Sequence, residues 1–150
     1  MAHPGIEALV GTWTGENILH NPMTGTPESS ATTFHNQLIL NASVLELTYD
    51  WVFEGQKQEG RLTIGGLKDK DDVFATWIDT WHMSSAFMVL KGTRTADGID
   101  LAGEYEVEGH PNWGWTIAIQ TTTEGLQVSM KNVSPEKEAY PAVDITLVRA

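Results

Sequence analysis

Cysteine is absent from the 150-residue chain. That excludes a disulfide scaffold, a Cys-ligated zinc centre and thiolate catalysis. No apolar run approaches the ~20 residues of a membrane span, and no basic segment precedes an apolar stretch as in a secretory leader. No membrane partner is therefore expected. Asn41-Ala42-Ser43 and Asn132-Val133-Ser134 fit the glycosylation pattern, but without a secretory signal they read as chance matches. Basic residues are scarce: 9 Lys and Arg stand against 20 Asp and Glu, a formal net charge of −11. Such a chain repels phosphate backbones, and aromatics without basic neighbours make a poor single-strand groove. No nucleic-acid partner is expected. Nucleophile elbows, phosphate-cradling glycine loops and Rossmann strand-turn-helix units are also missing. A cysteine-free chain suits a reducing compartment, and a cytoplasmic location is the expectation.

What is there is apolar and aromatic. Hydrophobic residues make up 41%, with 6 Trp, 4 Phe and 3 Tyr, enough for one folded domain over residues 1–150 and too much for a disordered chain. The apolar period is two almost throughout. Leu45, Leu47, Tyr49, Trp51 and Phe53 alternate with Glu46, Thr48 and Asp50, and the pattern returns at Ile99, Leu101, Tyr105, Val107 and at Trp115, Ile117, Ile119. It recurs at Leu126, Val128, Met130 and at Val143, Ile145, Leu147. This is half-buried antiparallel strand. Short turn-like breaks at Glu54-Gly55-Gln56-Lys57, Ala96-Asp97-Gly98 and Thr123-Glu124-Gly125 place strands near 11–19, 31–41, 44–54, 58–65, 73–82, 85–93, 99–107, 114–122, 126–132 and 142–149. About ten strands with tight turns and no helical pattern between them predict an all-β fold, a single up-and-down antiparallel barrel. Helix is confined to a short N-terminal turn around Pro4–Leu9, with Ile6, Leu9 and Val10 plugging one barrel end. Asn21–Ser30, with Pro22, Gly25 and Pro27, reads as a loop, as do Lys68–Asp72 and Ser134–Glu138.

The opening Gly11-Thr12-Trp13-Thr14-Gly15 packs one large aromatic between glycines. Gly-x-Trp at the start of an up-and-down barrel resembles the calycin superfamily, which includes the lipocalins. That resemblance implies a late Arg stacked on the Trp as a barrel floor, and Arg149 stands where it would be. The segments Leu9–Glu16, Trp77-Ile78-Asp79-Thr80-Trp81, Lys91-Gly92, Leu101-Ala102-Gly103-Glu104-Tyr105 and Val143–Arg149 together resemble the DUF1579 family of calycin-like barrels. The resemblance covers nearly the whole chain and implies a fold, with no established activity. A related haem-binding barrel, the nitrobindin type, shares the Gly-x-Trp-x-Gly opening but uses a late His as iron ligand. This sequence has no His after His110, so haem is not expected, nor is any other cofactor.

Two constellations carry candidate chemistry. On a regular strand Trp77, Asp79 and Trp81 share one face, while Ile78, Thr80 and His82 share the other. A carboxylate between two indoles is a polar anchor or acid–base group in a pocket, or a structural group bonded to turn amides or an indole N–H. Trp51 and Tyr49, Tyr105 and Trp115 form the second set, either lining a pocket with rings that have polar tips or filling a core. His20, His35, His82 and His110 lack metal-ligand spacing, and no metal site is expected; the Met1-Ala2-His3 terminus loses Met1 and with it most of a copper-binding reading. The leading expectation is a binding protein for a small hydrophobic or aromatic molecule, held by Trp51, Trp77, Asp79, Trp81, Tyr105 and Trp115. The alternatives are a cofactor-free lyase- or isomerase-type enzyme with Asp79 as acid or base, and a filled barrel serving as an interaction module. Homo-oligomerisation stays open.

Overall fold

The computed structural model describes residues 4–67, 70–83 and 85–150. Met1-Ala2-His3 and the Lys68-Asp69 part of the charged connection lie outside the described residues. A helical turn, α1 (Pro4–Glu7), is followed by strands β1 (Gly11–His20), β2 (Pro27–Ile39), β3 (Val44–Phe53), β4 (Gln56–Gly65) and β5 (Asp72–Asp79). The chain continues through β6 (Met88–Arg94), β7 (Gly98–Val107), β8 (His110–Thr121), β9 (Leu126–Val133) and β10 (Ala139–Arg149). Each strand pairs antiparallel with its neighbours in sequence, and β1 pairs with β10 to close the barrel. Antiparallel closure needs an even number of strands, and closure removes the unpaired edges an open sheet would leave.

The period-two pattern becomes inside and outside. Leu45, Leu47, Tyr49 and Trp51 are buried, as are Ile117, Ile119, Val128, Ile145 and Leu147 on the far wall. Strand boundaries differ from expectation in two instructive places. Residues 27–30 join β2, where Pro27 sits opposite His20 at the very start of the ladder, a position that tolerates a missing N–H. β5 stops at Asp79 instead of running to residue 82, because the Asp79 side chain bonds the amides that follow and turns the chain.

The floor accounts for the Gly-x-Trp opening. After α1 the chain presents the carbonyls of Ala8, Leu9 and Val10 with no further helical turn to use them. Trp13 Nε1 and Asn36 Nδ2 both donate to the Leu9 carbonyl at 3.0 Å. The Arg149 guanidinium donates to Val10 at 2.8 Å and to Ala8 at 3.1 Å, with its carbon 4.2 Å from the centre of the Trp13 ring. Ile6 and Leu9 are buried beneath this clamp and Val10 is partly buried, so they plug the end of the barrel. Gly11 is required here: its φ is +131°, and a Cβ would stand 2.5 Å from Arg149 Nη1. Replacing Arg149 by Leu should cost about 1–2 kcal/mol, since water can reach the released carbonyls. Gly11→Ala should cost more than Arg149→Leu, because it adds backbone strain to the lost clamp. Urea unfolding of the two variants beside the parent checks both the size and the order.

Candidate functional site

The opposite end is built around Asp79, which is 1% exposed. Its Oδ2 accepts from the Tyr49 hydroxyl at 2.7 Å and from Trp51 Nε1 at 3.1 Å. Its Oδ1 accepts from the main-chain N–H of Trp81 at 2.9 Å and of His82 at 3.1 Å. The Met83 N–H donates to the Asp79 carbonyl at 3.0 Å and completes the turn. Tyr49 reaches across an intervening strand: Gly60 of β4 pairs with Tyr49 on one side and Asp79 on the other. A Cβ at Gly60 would overlap the Tyr49 ring, so glycine there opens the path between β3 and β5. Phe34 stacks on Tyr49 with centroids 4.7 Å apart, and Trp77 Nε1 donates to the Tyr49 oxygen at 2.9 Å. Burial first, and then the negative Asp79 beside it, hold the Tyr49 hydroxyl well above its ordinary range, so it stays a donor.

The turn has one consequence that a regular strand does not allow. A strand running on to residue 82 would put His82 on the face opposite Trp81 and away from Asp79, yet it swings into the barrel mouth. Its ring lies 4.7–5.8 Å from those of Trp51, Trp77, Trp81 and Trp115. Burial among these indoles lowers its pKa from the usual 6.5, against a smaller opposing pull from Asp79. Trp77 and Trp115 also stack on each other, 5.1 Å apart.

Beside these rings is a cavity of about 320 Å³, lined by Trp77, His82, Met83, Met88, Tyr105, Trp115 and Asn132 together with Ala86. It thus gathers three of the residues singled out in the sequence, Trp77, Tyr105 and Trp115. The other three stand elsewhere. Trp51 and Asp79 are buried behind His82, and Trp81 is half-buried against Phe53 and Trp51. Asp79 is not part of this lining, and both of its oxygens are already engaged. Tyr105 donates its hydroxyl proton to Asn132 Oδ1 at 2.6 Å, and burial raises its pKa. His82, Met83, Met88 and Asn132 line the cavity without having been singled out by the sequence pattern. Asn132 continues the alternation of Leu126, Val128 and Met130, and an Asp that can bond amides two and three residues on is a turn signal. Among the described residues no group of three or more His, Cys, Asp or Glu stands close enough to hold a metal ion. No helix among them is long and apolar enough to cross a membrane.

The family model described as "Protein of unknown function (DUF1579)" matches residues 1–149. The chain belongs to the DUF1579 family. No curated protein matches this DUF1579 chain. Among solved structures it is similar to the crystal structure of Rv2717c from M. tuberculosis, with a TM-score of 0.67 and 15% identity over 100% of this chain and 99% of that one. At that identity the likeness is one of fold.

Two outcomes test the geometry. Tyr49→Phe leaves the Trp77 indole N–H without its acceptor and Asp79 with one donor fewer, both buried. It should lower stability by about 2–3 kcal/mol in urea unfolding, with the barrel retained by circular dichroism. His82 should remain neutral in the folded state below pH 6.5. An unfolded chain then binds the proton first, so this contribution is whole above about pH 6.5 and is lost as pH falls from there towards the lower folded value. The stability difference between the parent and His82→Phe, measured from pH 7.5 down to 5, should shift in favour of the variant. Imidazole NMR shifts give the titration directly.

Proposed function

We propose that this DUF1579 barrel binds a small, largely apolar molecule in the cavity at its mouth. One observation carries the reading: a space of about 320 Å³ bounded by the rings of Trp77, His82, Tyr105 and Trp115 and the thioethers of Met83 and Met88. Binding sites for small molecules are concave, apolar and ring-lined, with a few polar groups to fix orientation, and this volume is at the lower end of their usual range. Methionine side chains adapt to a guest at little cost. The ligand positions on this reading are Trp77, Tyr105 and Trp115, with Trp51, Asp79 and Trp81 holding them and His82 in place. A cytoplasmic setting goes with the proposal and rests on composition alone.

The enzymatic alternative asks Asp79 to exchange a proton with a substrate. Four donors already occupy its oxygens, an arrangement suited to an anchor. A filled interaction barrel fits less well with open volume between rings.

The test uses N-phenyl-1-naphthylamine, a neutral apolar fluorophore. It should bind saturably, quench tryptophan emission and brighten as it leaves water. Met88→Trp, which fills the cavity from β6, should abolish that signal while the thermal transition stays cooperative. Absence of saturable binding to the parent, or unchanged binding to a folded Met88→Trp variant, defeats the proposal.

A further inference from the structure

The polar groups of the same cavity narrow the chemistry of its occupant. The inference rests on the cavity being a ligand site and goes on to name the class of ligand. Trp115 is 5% exposed, and its indole N–H is one of four buried side-chain N or O atoms without a hydrogen-bond partner among the described residues. Of those four atoms, it alone belongs to a residue lining this cavity. That nitrogen is sealed from water, so Trp115 gives an occupant the wall of its ring and no donor. The donors within reach come from two other side chains. Tyr105 occupies the Asn132 carbonyl oxygen with its own hydroxyl proton, which leaves the Asn132 amide nitrogen as a donor. The His82 ring makes no hydrogen bond among the described residues, and as a neutral imidazole it offers one N–H and one bare nitrogen.

Charge completes the selection. Neither Lys nor Arg lines the cavity, and the carboxylate behind His82 is negative. An anionic ligand would find no cation to meet it and a carboxylate close behind His82. A cation would find π faces, but the space between the four indoles is already filled by His82, and the free groups on the wall are mostly donors. We propose that the ligand is a neutral aromatic molecule bearing a hydroxyl or carbonyl oxygen, and that His82 is the residue that selects it. The oxygen accepts a hydrogen bond from the Asn132 amide or the His82 N–H, and a hydroxyl can in turn donate to the bare imidazole nitrogen. The ring lies against the wall of Trp77 and Trp115. Asp79 acts at one remove, by holding the His82 amide.

Four probes with one carbon skeleton separate this proposal from the simple cavity reading: naphthalene, 2-naphthol, 2-naphthoate and protonated 2-naphthylmethylamine. Binding is followed by tryptophan quenching and calorimetry on the full chain. The expected result is 2-naphthol about tenfold tighter than naphthalene, equal to about 1.4 kcal/mol, with both charged probes weaker than 2-naphthol. In His82→Phe, which keeps an aromatic ring among the indoles and removes both nitrogens, the ratio of 2-naphthol to naphthalene affinity should fall to within about twofold. Equal binding of the two neutral probes to the parent overturns the ligand class and leaves the cavity reading standing. Binding of none of the four overturns both. Tighter binding of a charged probe overturns the neutral class, and a tenfold ratio that survives His82→Phe removes His82 from its role. Should that variant not fold, Asn132→Leu deletes the amide donor and keeps much of the side chain's bulk. The ratio should drop there too, and an unchanged ratio counts against the proposal.

Discussion

A carboxylate with 1% exposure is among the most expensive groups a barrel of this size can bury, and the mouth of this one is arranged around meeting that cost. Four donors converge on Asp79 from two directions: two ring groups of β3 and two amides of its own turn. Each donor is constrained in return. Tyr49 crosses the gap that Gly60 leaves, is backed by Phe34, and presents its oxygen to Trp77. Trp51 is fixed by its indole N–H, and the turn is fixed by its amides. Removing any one contact exposes a buried charge or an unpaired donor, so the group behaves as a unit whose members cannot drift independently.

The two ends of the barrel solve different problems. At the floor, the groups in need of partners are the carbonyls of Ala8, Leu9 and Val10, and side chains from β1, β2 and β10 supply donors to all of them. The plug of Ile6 and Leu9 then closes the end with buried aliphatic surface. At the mouth the need is reversed. Donors outnumber acceptors there: Asp79 absorbs four, Asn132 absorbs one, and the indole N–H of Trp115 has no partner among the described residues. The Asn132 amide and the His82 ring, unengaged among the described residues and set beside apolar rings, suit this end to receive an acceptor, whereas the sealed end is suited to stability.

The barrel itself is legible in the sequence because period two survives wherever one face is buried, from Leu45-Leu47-Tyr49-Trp51 to Val143-Ile145-Leu147. Gly11-Thr12-Trp13 with Arg149 is legible as well, through the resemblance of that opening to calycin barrels, which implies a late Arg stacked on the Trp. Trp77-Asp79-Trp81 is visible as a unit, but its geometry is not. Alternation alone extends the strand to residue 82, and periodicity carries no information about a side chain that captures its own downstream amides. His82 therefore falls on the wrong face by that rule. Asn132 lies on a legible alternation, yet its meeting with Tyr105, 27 residues away, depends on β7 to β9 curving round one wall of the closed barrel. Gly60 gives no signal at all, because its role exists only once Tyr49 and Asp79 flank it.

A cavity at this end has to be held open, since protein interiors pack as densely as organic crystals and rings so close together would ordinarily collapse onto one another. Collapse would require Trp81, His82 or Met83 to move inward, and the backbone of all three is tied to Asp79, two by its carboxylate and one by its carbonyl. Moving the turn would strip donors from a buried charge, a cost larger than the dispersion energy gained by filling the space. Trp77 cannot tilt into the gap without leaving the Tyr49 oxygen, nor Tyr105 without leaving Asn132. The polar network thus keeps an apolar space open. A carboxylate that takes no part in the lining fixes the position of His82 and the shape of the space beside it.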